Sequence, residues 1–183
     1  MMGFTGGAKL QAILKDTAKK LGEGKTLRVG FLSGTTYPDA DGTSVAQVAF
    51  WQEYGTSTIP PRPFFRTMIA KKEGSWGGVL AKNLKATGND ADAALKLVGS
   101  VIKDQLQTSI IEMDSPALSP ITVMLRGMRR NNPSLVVTGA TVGQAAARVA
   151  AGKTNYGASA TPLIDSGLMQ SDRGVSFDIE DGV

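Results

Sequence analysis

The chain has 183 residues, a length that favours one domain over residues 1–183. It has no cysteine and no histidine, which excludes disulfides, thiol nucleophiles, imidazole metal ligands and every triad that needs histidine. Residues 1–90 carry 12 Lys and Arg against 7 Asp and Glu, whereas residues 91–183 carry 8 against 9. A basic front and an acidic tail favour head-to-tail contact between copies, because opposite surface charges steer association.

The remaining polar residues form no pattern typical of catalysis. The paired carboxylates in the turn-rich loop and in the tail lack the apolar neighbours that a general acid needs. We therefore predict that the chain is not an enzyme and has no catalytic residue, no cofactor and no metal site.

No apolar run approaches the ~20 residues that cross a bilayer, and the first residues lack a secretory signal. We expect a cytoplasmic protein without a membrane partner.

The first elements follow from the spacing of apolar residues. A helical stripe predicts a helix over about residues 7–21, and strict alternation predicts a half-buried strand over 27–32. Residues 33–44 are rich in turn formers and predict an exposed loop, which is a candidate contact with a neighbouring protein. The stripe consists of Leu10, Ile13, Leu14, Thr17 and Leu21, and the strand alternates at Leu27, Val29 and Phe31.

The next helix is expected to begin at Thr43 or Ser44, either of which can cap it, and to end near Tyr54. It carries apolar residues on more than one face, so either it is deeply buried or one face meets a partner. Trp51 and Tyr54 are therefore candidate interface residues. Gly55 is expected to end the helix.

Residues 53–66, EYGTSTIPPRPFFR, contain three prolines within four positions. Each proline fixes its own φ at about −65° and biases the preceding residue towards an extended backbone, so the segment predicts a stiff corner between two helices. Arg62, held between prolines, predicts a salt bridge at an interface, and Arg66 is a second candidate. Phe64 and Phe65 are either core residues of this chain or contacts with another copy.

The second half of the chain predicts further helices and a closing strand. Glycines at 74–78 weaken the helix that follows the corner by on the order of 1 kcal/mol each, which predicts a kink or break there. Residues 131–160, rich in small side chains, predict a poorly packed insertion or arm. Helices are expected over about 64–84, 90–113, 120–130 and 141–151, and a strand that pairs with 27–32 over 174–180. The predicted fold is α+β, with a small antiparallel sheet packed on helices.

Two parts of the chain resemble the small morphogenesis proteins of tailed bacteriophages, namely neck, head–tail joining and tail-completion proteins. Residues 53–56 and 59–65 are similar to that family's Gly-Thr … Ile-Pro-x-Arg-Pro-Phe pattern. Residues 118–120, which open a helix, and 162–171, PLIDSGLMQS, are similar to a second pattern, Pro-Leu-Ile-Asp-Thr-Gly, before the last strand. Two patterns in the right order are more specific than either one alone.

The resemblance covers about residues 27–130 and 161–181, and it implies a virion structural protein without catalysis. Its members form rings at the junction between the head connector and the tail tube, so a homo-oligomeric ring, most simply a hexamer, is expected. The implied partners are the connector or adaptor protein and the tail tube or terminator protein, with DNA passing through the lumen without sequence recognition. The implied location is the virion neck. Residues 133–160 depart from the family's compact pattern.

Other functions stay open at this stage. Within the family, the chain either completes the tail tube or acts as a head-side neck or adaptor protein, and the resemblance favours the first. A pI of about 9.4 is compatible with a basic DNA-binding protein, although the lysines are scattered and not interleaved with aromatic residues. A metal-independent hydrolase is the third alternative.

Overall fold

The computed structural model describes residues 24–38, 42–153 and 157–181, and its elements confirm the predicted α+β fold. The helix predicted over 7–21 lies outside the described residues. In chain order the elements are β1 (Lys25–Gly30), α1 (Val45–Tyr54), α2 (Phe64–Ala86), α3 (Ala91–Glu112), α4 (Pro120–Asn131), α5 (Gly139–Ala150) and β2 (Ser176–Asp181).

The two strands form an antiparallel pair, as the sequence predicts. Leu27 pairs with Ile179 and Val29 pairs with Phe177, so these four side chains share one face of the sheet. That face packs on α3, where the Phe177 ring lies over Gly99. A Cβ at Gly99 would come within 2.6 Å of the ring, so this close approach depends on glycine.

The main core lies between α1, α2, α3 and the segment that precedes β2. Phe64, at the start of α2, is only 1% exposed, and the Phe31 ring meets it edge-on at 6.2 Å between centroids. Phe64 is therefore a core residue of this chain and not of a neighbour. The cluster consists of Val45, Ala49, Phe64, Met68, Leu106, Ile110, Leu163, Met169 and Val175.

The helix starts follow local capping chemistry. The side chains of Ser44, Asp90 and Ser119 each accept a hydrogen bond from the backbone N–H three residues ahead. Pro120 occupies the first position of α4, where a missing N–H has no consequence for the helix. These contacts place the starts of α1, α3 and α4 within a residue or two of the predicted positions.

The predicted loop at 33–44 is partly anchored. The hydroxyls of Ser33 and Thr35 donate to the Arg173 backbone oxygen at 2.7 and 2.8 Å. Thr36 and Ser44 form an antiparallel bridge that closes the loop. Its residues 39–41 lie outside the described part of the chain.

The predicted arm contains α5, close to the helix expected over 141–151. The inner face of α5 packs on α4. Met124 and Met128 of α4 and Ala145 of α5 are buried there in a second small cluster. The prediction of poor packing is therefore wrong for this face, because small side chains on α5 suffice to cover the methionines of α4. Val136 and Val137, which precede α5, are exposed.

Helix α2 continues through residues 74–78 without interruption, so the predicted break is wrong. The positions of Gly74, Gly77 and Gly78 have open space where a Cβ would stand. Helix α2 packs along α3, and the Trp76 indole N–H donates to the Gln105 side-chain oxygen at 2.8 Å. Tertiary packing therefore outweighs the weak helix propensity of the glycines.

Gly78→Ala is expected to raise the free energy of unfolding by about 1 kcal/mol, the usual difference in helix propensity between the two residues. A Cβ at this position meets no atom within 4 Å, so nothing offsets the gain. Urea or thermal unfolding measures the change. Gly99→Ala is the matched control and is expected to lower stability, because its Cβ meets the Phe177 ring. Similar effects of the two substitutions would contradict this account.

Candidate interface at the proline corner

Residues 53–66 form a rigid corner between α1 and α2, which we refer to as the proline corner. Gly55 ends α1 with a φ of 78°, and a Cβ there would lie 2.8 Å from the Ile59 backbone oxygen. The Thr56 backbone N–H donates to that oxygen at 2.9 Å, and the Thr56 hydroxyl accepts from the Ile59 N–H at 3.0 Å. Hydrogen bonds therefore add to the stiffness that the prolines provide.

Arg62 is buried inside the corner, with 3% of the residue exposed. Its Nε donates to the Pro116 backbone oxygen at 3.0 Å, and its Nη1 donates to Gln52 Oε1 at 2.9 Å. Burial lowers the pKa of Arg62, and the positive charge of Arg126 lowers it further. The predicted interface salt bridge at Arg62 is therefore wrong. The Arg62 backbone N–H donates to the Gln52 backbone oxygen at 2.7 Å. This bond directs the Arg62 side chain over α1 and into the molecule.

Glu53 is the buried acid of the corner, 4% exposed. Its carboxylate accepts from the backbone N–H groups of Phe65 at 2.9 Å and Arg66 at 3.1 Å, two groups that have no partner within α2. It also accepts from Arg66 Nε at 2.7 Å. Pro63, at the cap position itself, makes no side-chain cap bond. Glu53 thus caps α2 from α1, and the positive end of the helix dipole favours its charge.

The outer side of α1 is aromatic. Phe50, Trp51 and Tyr54 are 56%, 38% and 56% exposed. The ring centroids of Phe50 and Tyr54 lie 4.8 Å apart, and the Arg66 guanidinium carbon lies 4.8 Å from the Tyr54 ring centroid. We refer to Phe50, Trp51, Tyr54 and Arg66 as the aromatic face. Because Glu53 binds Arg66, the buried corner orients one edge of this exposed face.

The structure divides the six predicted interface residues into three groups. Val45, Ala49 and Glu53 turn one side of α1 inward, so the opposite side is free to carry exposed aromatic residues. Sequence reasoning missed Phe50, although its spacing of four from Tyr54 places both on one helix face. Trp51, Tyr54 and Arg66 are exposed together, Arg62 and Phe64 are buried, and Phe65 is half-buried against the core.

The second segment of the resemblance lies across a cleft from α1. The cleft has a volume of about 240 Å³, with Val48 and Gln52 on the α1 side and Pro162 to Met169 on the other. Arg126 of α4 holds this segment through backbone carbonyls. Its guanidinium donates to the backbone oxygens of Ser159, Thr161, Pro162 and Ile164 at 3.2, 2.8, 2.8 and 3.0 Å.

Arg126 and Arg62 are structural cations. Burial lowers the pKa of Arg126, and the nearby Asp165 carboxylate raises it in part. Both guanidinium groups bind backbone oxygens of other segments, so they join separate segments of one chain. The sequence contains no local signal for these pairings, because Arg126 and its acceptors are 33 to 38 residues apart.

Residues 24–38, 42–153 and 157–181 contain no group of three acidic residues that would hold a metal ion, and no helix there has the length and hydropathy to cross a membrane. Ser100 and Lys103 have the spacing of a serine–lysine pair, but Lys103 Nζ lies 2.8 Å from the Asp172 carboxylate. Hydrogen bonds from Lys103 and Gln107 lower the pKa of Asp172, and they join α3 to the turn before β2.

The residues that carry the phage resemblance build the corner and the cleft. Gly55 permits the turn, Arg62 joins α1 to the loop before α4, and residues 162, 163 and 165–169 form the cleft wall. Comparison of the whole chain with known protein families, with characterised proteins and with solved structures finds no match in any of the three.

Proposed function

We propose that the chain is a non-catalytic structural protein of a tailed-bacteriophage virion that assembles into a homo-oligomeric ring, most simply a hexamer, at the head–tail junction. In this role it completes the tail tube and joins it to the head connector. The observation that carries the proposal is the aromatic face, where three exposed aromatic side chains and an arginine lie together. Tryptophan, tyrosine and arginine dominate the binding energy of protein–protein interfaces.

The proline corner prepares this face for binding. Arg66 is held by Glu53 at 2.7 Å and stacks on Tyr54, so its side chain is ordered before any partner arrives. Side chains that are already ordered lose less conformational entropy on association. A buried corner beneath an exposed aromatic face is therefore a favourable design for an assembly contact.

A second copy of the chain is the partner that the charge distribution favours. The first half, which contains the aromatic face, carries a net charge of +5, whereas the second half carries −1. Opposite charges on different parts of one molecule steer a head-to-tail contact, and head-to-tail contacts close into a ring when the rotation permits. We expect the neighbouring copy to receive the aromatic face on its second half.

Native mass spectrometry and analytical ultracentrifugation test the assembly. The wild-type chain is expected to form a ring, and Phe50→Ser, Trp51→Ser and Tyr54→Ser together are expected to give a monomer. Far-UV circular dichroism is expected to stay unchanged, because these side chains belong to neither buried cluster. Val136→Ser with Val137→Ser is the matched control, since it removes exposed apolar side chains elsewhere. A monomeric wild type, or a triple variant that still forms rings, would exclude the proposal.

Cryo-electron microscopy of the virion neck tests the location. Tail completion places the ring against the tail tube or terminator protein, with DNA crossing the lumen without sequence recognition. Ring density on the connector side instead would assign the alternative role, a head-side neck or adaptor protein. Assembly is expected in the host cytoplasm, before the head and tail join. A virion without ring density at either place would contradict both roles.

A basic DNA-binding protein is the alternative of another class, and it rests on the pI of about 9.4. Two arginines, Arg62 and Arg126, are committed to backbone carbonyls and cannot neutralise phosphates. A mobility-shift assay on duplex DNA separates the two functions. DNA binding would show a steep loss of affinity with salt and would survive the triple substitution of the aromatic face.

A further inference from the structure

A cavity of about 420 Å³ lies between the C-terminal end of α4 and residues 158–166. We refer to it as the arginine cavity. It adjoins the cleft beside α1, because Arg126 and Asp165 line both. Its described walls are formed by Arg126, Arg129, Arg130, Pro133, Ala158, Ser159, Asp165 and Ser166. Three of these side chains are cations, and a concave surface with an excess of one charge concentrates ligands of the opposite charge.

We propose that the arginine cavity binds the phosphate group of a small phosphate monoester. Arg126 Nε lies 3.7 Å from the Asp165 carboxylate, so these two charges balance each other. Arg129 and Arg130 then leave the described walls with a net charge of +2. A phosphate monoester carries a charge of about −1.5 to −2 at pH 7, and the planar fork of arginine matches its oxygens. The charge and the donor geometry therefore fit this class of ligand.

Helix α4 supplies the cationic wall. Arg129 and Arg130 follow Arg126 by three and four residues, a spacing that places neighbours on one helix surface. Arg126 donates to four backbone oxygens of the opposite segment and fixes the distance between the two walls. In the described part of the chain, the Arg130 side chain makes one bond, from Nη1 to the Gly157 backbone oxygen at 3.4 Å. Most of its N–H donors can therefore turn to a ligand.

The opposite wall adds hydroxyl donors. Ser159 Oγ accepts from the Thr161 backbone N–H at 3.1 Å, and Ser166 Oγ accepts from the Leu168 backbone N–H at 3.3 Å. A hydroxyl that accepts in this way keeps its own proton for another acceptor. An anion between the walls can therefore accept from arginine on one side and from serine on the other. The volume lies in the range of small-molecule sites, about 300–1,000 Å³, so the ligand has room for an organic part.

Isothermal titration calorimetry of the full-length chain with ribose 5-phosphate tests the site. Ribose 5-phosphate is expected to bind, whereas neutral ribose is not. Arg129→Gln together with Arg130→Gln is expected to weaken binding about tenfold or more, because two charge-assisted forks are lost. Lys71→Gln with Lys72→Gln is the matched control, since it removes two exposed cations from α2, and unchanged binding is expected. No binding by the wild type, or equal weakening by both pairs of substitutions, overturns the proposal.

Protection from phenylglyoxal, which modifies arginine side chains, is a second test that needs no substitution. Mass spectrometry is expected to show severalfold slower modification of Arg129 and Arg130 in the presence of ribose 5-phosphate. Arg173, an exposed arginine that does not line the cavity, is the internal control and is expected to react at the same rate with and without it. Equal protection of all three arginines overturns the proposal.

A single-stranded oligothymidylate without terminal phosphates distinguishes the source of the phosphate group, because it carries only phosphodiesters. It is expected to protect Arg129 and Arg130 less than ribose 5-phosphate does. Protection by the oligonucleotide alone would assign the cavity to nucleic acid and would overturn the monoester proposal. The cavity does not include the aromatic face, so the result of these experiments is independent of ring assembly.

Discussion

Arg62→Ala is expected to lower the free energy of unfolding by about 3 kcal/mol, because a hydrogen bond from a charged group contributes roughly 1.5–3 kcal/mol. The guanidinium makes two such bonds, to the Pro116 backbone oxygen and to Gln52 Oε1, in a nearly fully buried position. Its removal separates the end of α1 from the loop before α4 and leaves both acceptors without a donor. Urea unfolding, followed by circular dichroism, measures the loss.

Arg148→Ala is the control for Arg62→Ala. Arg148 is exposed on α5, so its substitution is expected to stay within about 0.5 kcal/mol of the wild type. Arg62→Lys is expected to restore only part of the stability, because an ammonium cannot reproduce the planar fork of a guanidinium. If Arg62→Ala keeps its stability and instead loses the ring, the arginine acts between subunits and the intramolecular account is wrong.

Glu53→Ala is expected to lower the free energy of unfolding by about 2–3 kcal/mol, since loss of a helix cap typically costs about 1 kcal/mol and loss of charge-assisted bonds costs more. The substitution removes the acceptor of two N–H groups at the start of α2 and the partner of Arg66. It also leaves a small cavity in the corner. Thermal and urea unfolding measure the change.

Glu73→Ala is the control for Glu53→Ala, because Glu73 is an exposed acid on α2, the helix that Glu53 caps, and little change is expected there. Glu53→Gln keeps one acceptor oxygen and the side-chain volume, so its loss is expected to be smaller. Glu53→Ala is also expected to weaken the ring, since Arg66 is then free to leave the Tyr54 ring. Full stability of Glu53→Ala would show that α2 needs no cap from α1.

The two sets of variants separate folding from assembly. Substitutions of Arg62 and Glu53 act on buried contacts, so they are expected to change the unfolding midpoint first. Substitutions of Phe50, Trp51 and Tyr54 act on exposed side chains and are expected to change only the oligomeric state. A variant set in which stability and assembly always change together would mean that the aromatic face contributes to the fold of the subunit.

The positions of most elements were predictable because the signals that define them are local. Apolar periodicity identified α3, alternation identified both strands, and Ser44, Asp90 and Ser119 marked helix starts through bonds that span three residues. The predicted break at residues 74–78 was wrong because it used only the low helix propensity of glycine. Propensity is a local term, and packing of α2 along α3 outweighs it.

In the candidate site, too, local signals predict some features and tertiary packing decides the others. The sequence by itself determined that residues 53–66 form a stiff corner, because three prolines and Gly55 restrict the backbone wherever they occur. It did not determine where the side chains of that corner point. Only the tertiary structure decided that Arg62 and Phe64 face inward while Trp51, Tyr54 and Arg66 face outward, since their partners lie in segments that are distant along the chain or on the opposite side of α1. Burial and long-range hydrogen bonds depend on which segments meet in space, and spacing along the chain does not contain that information.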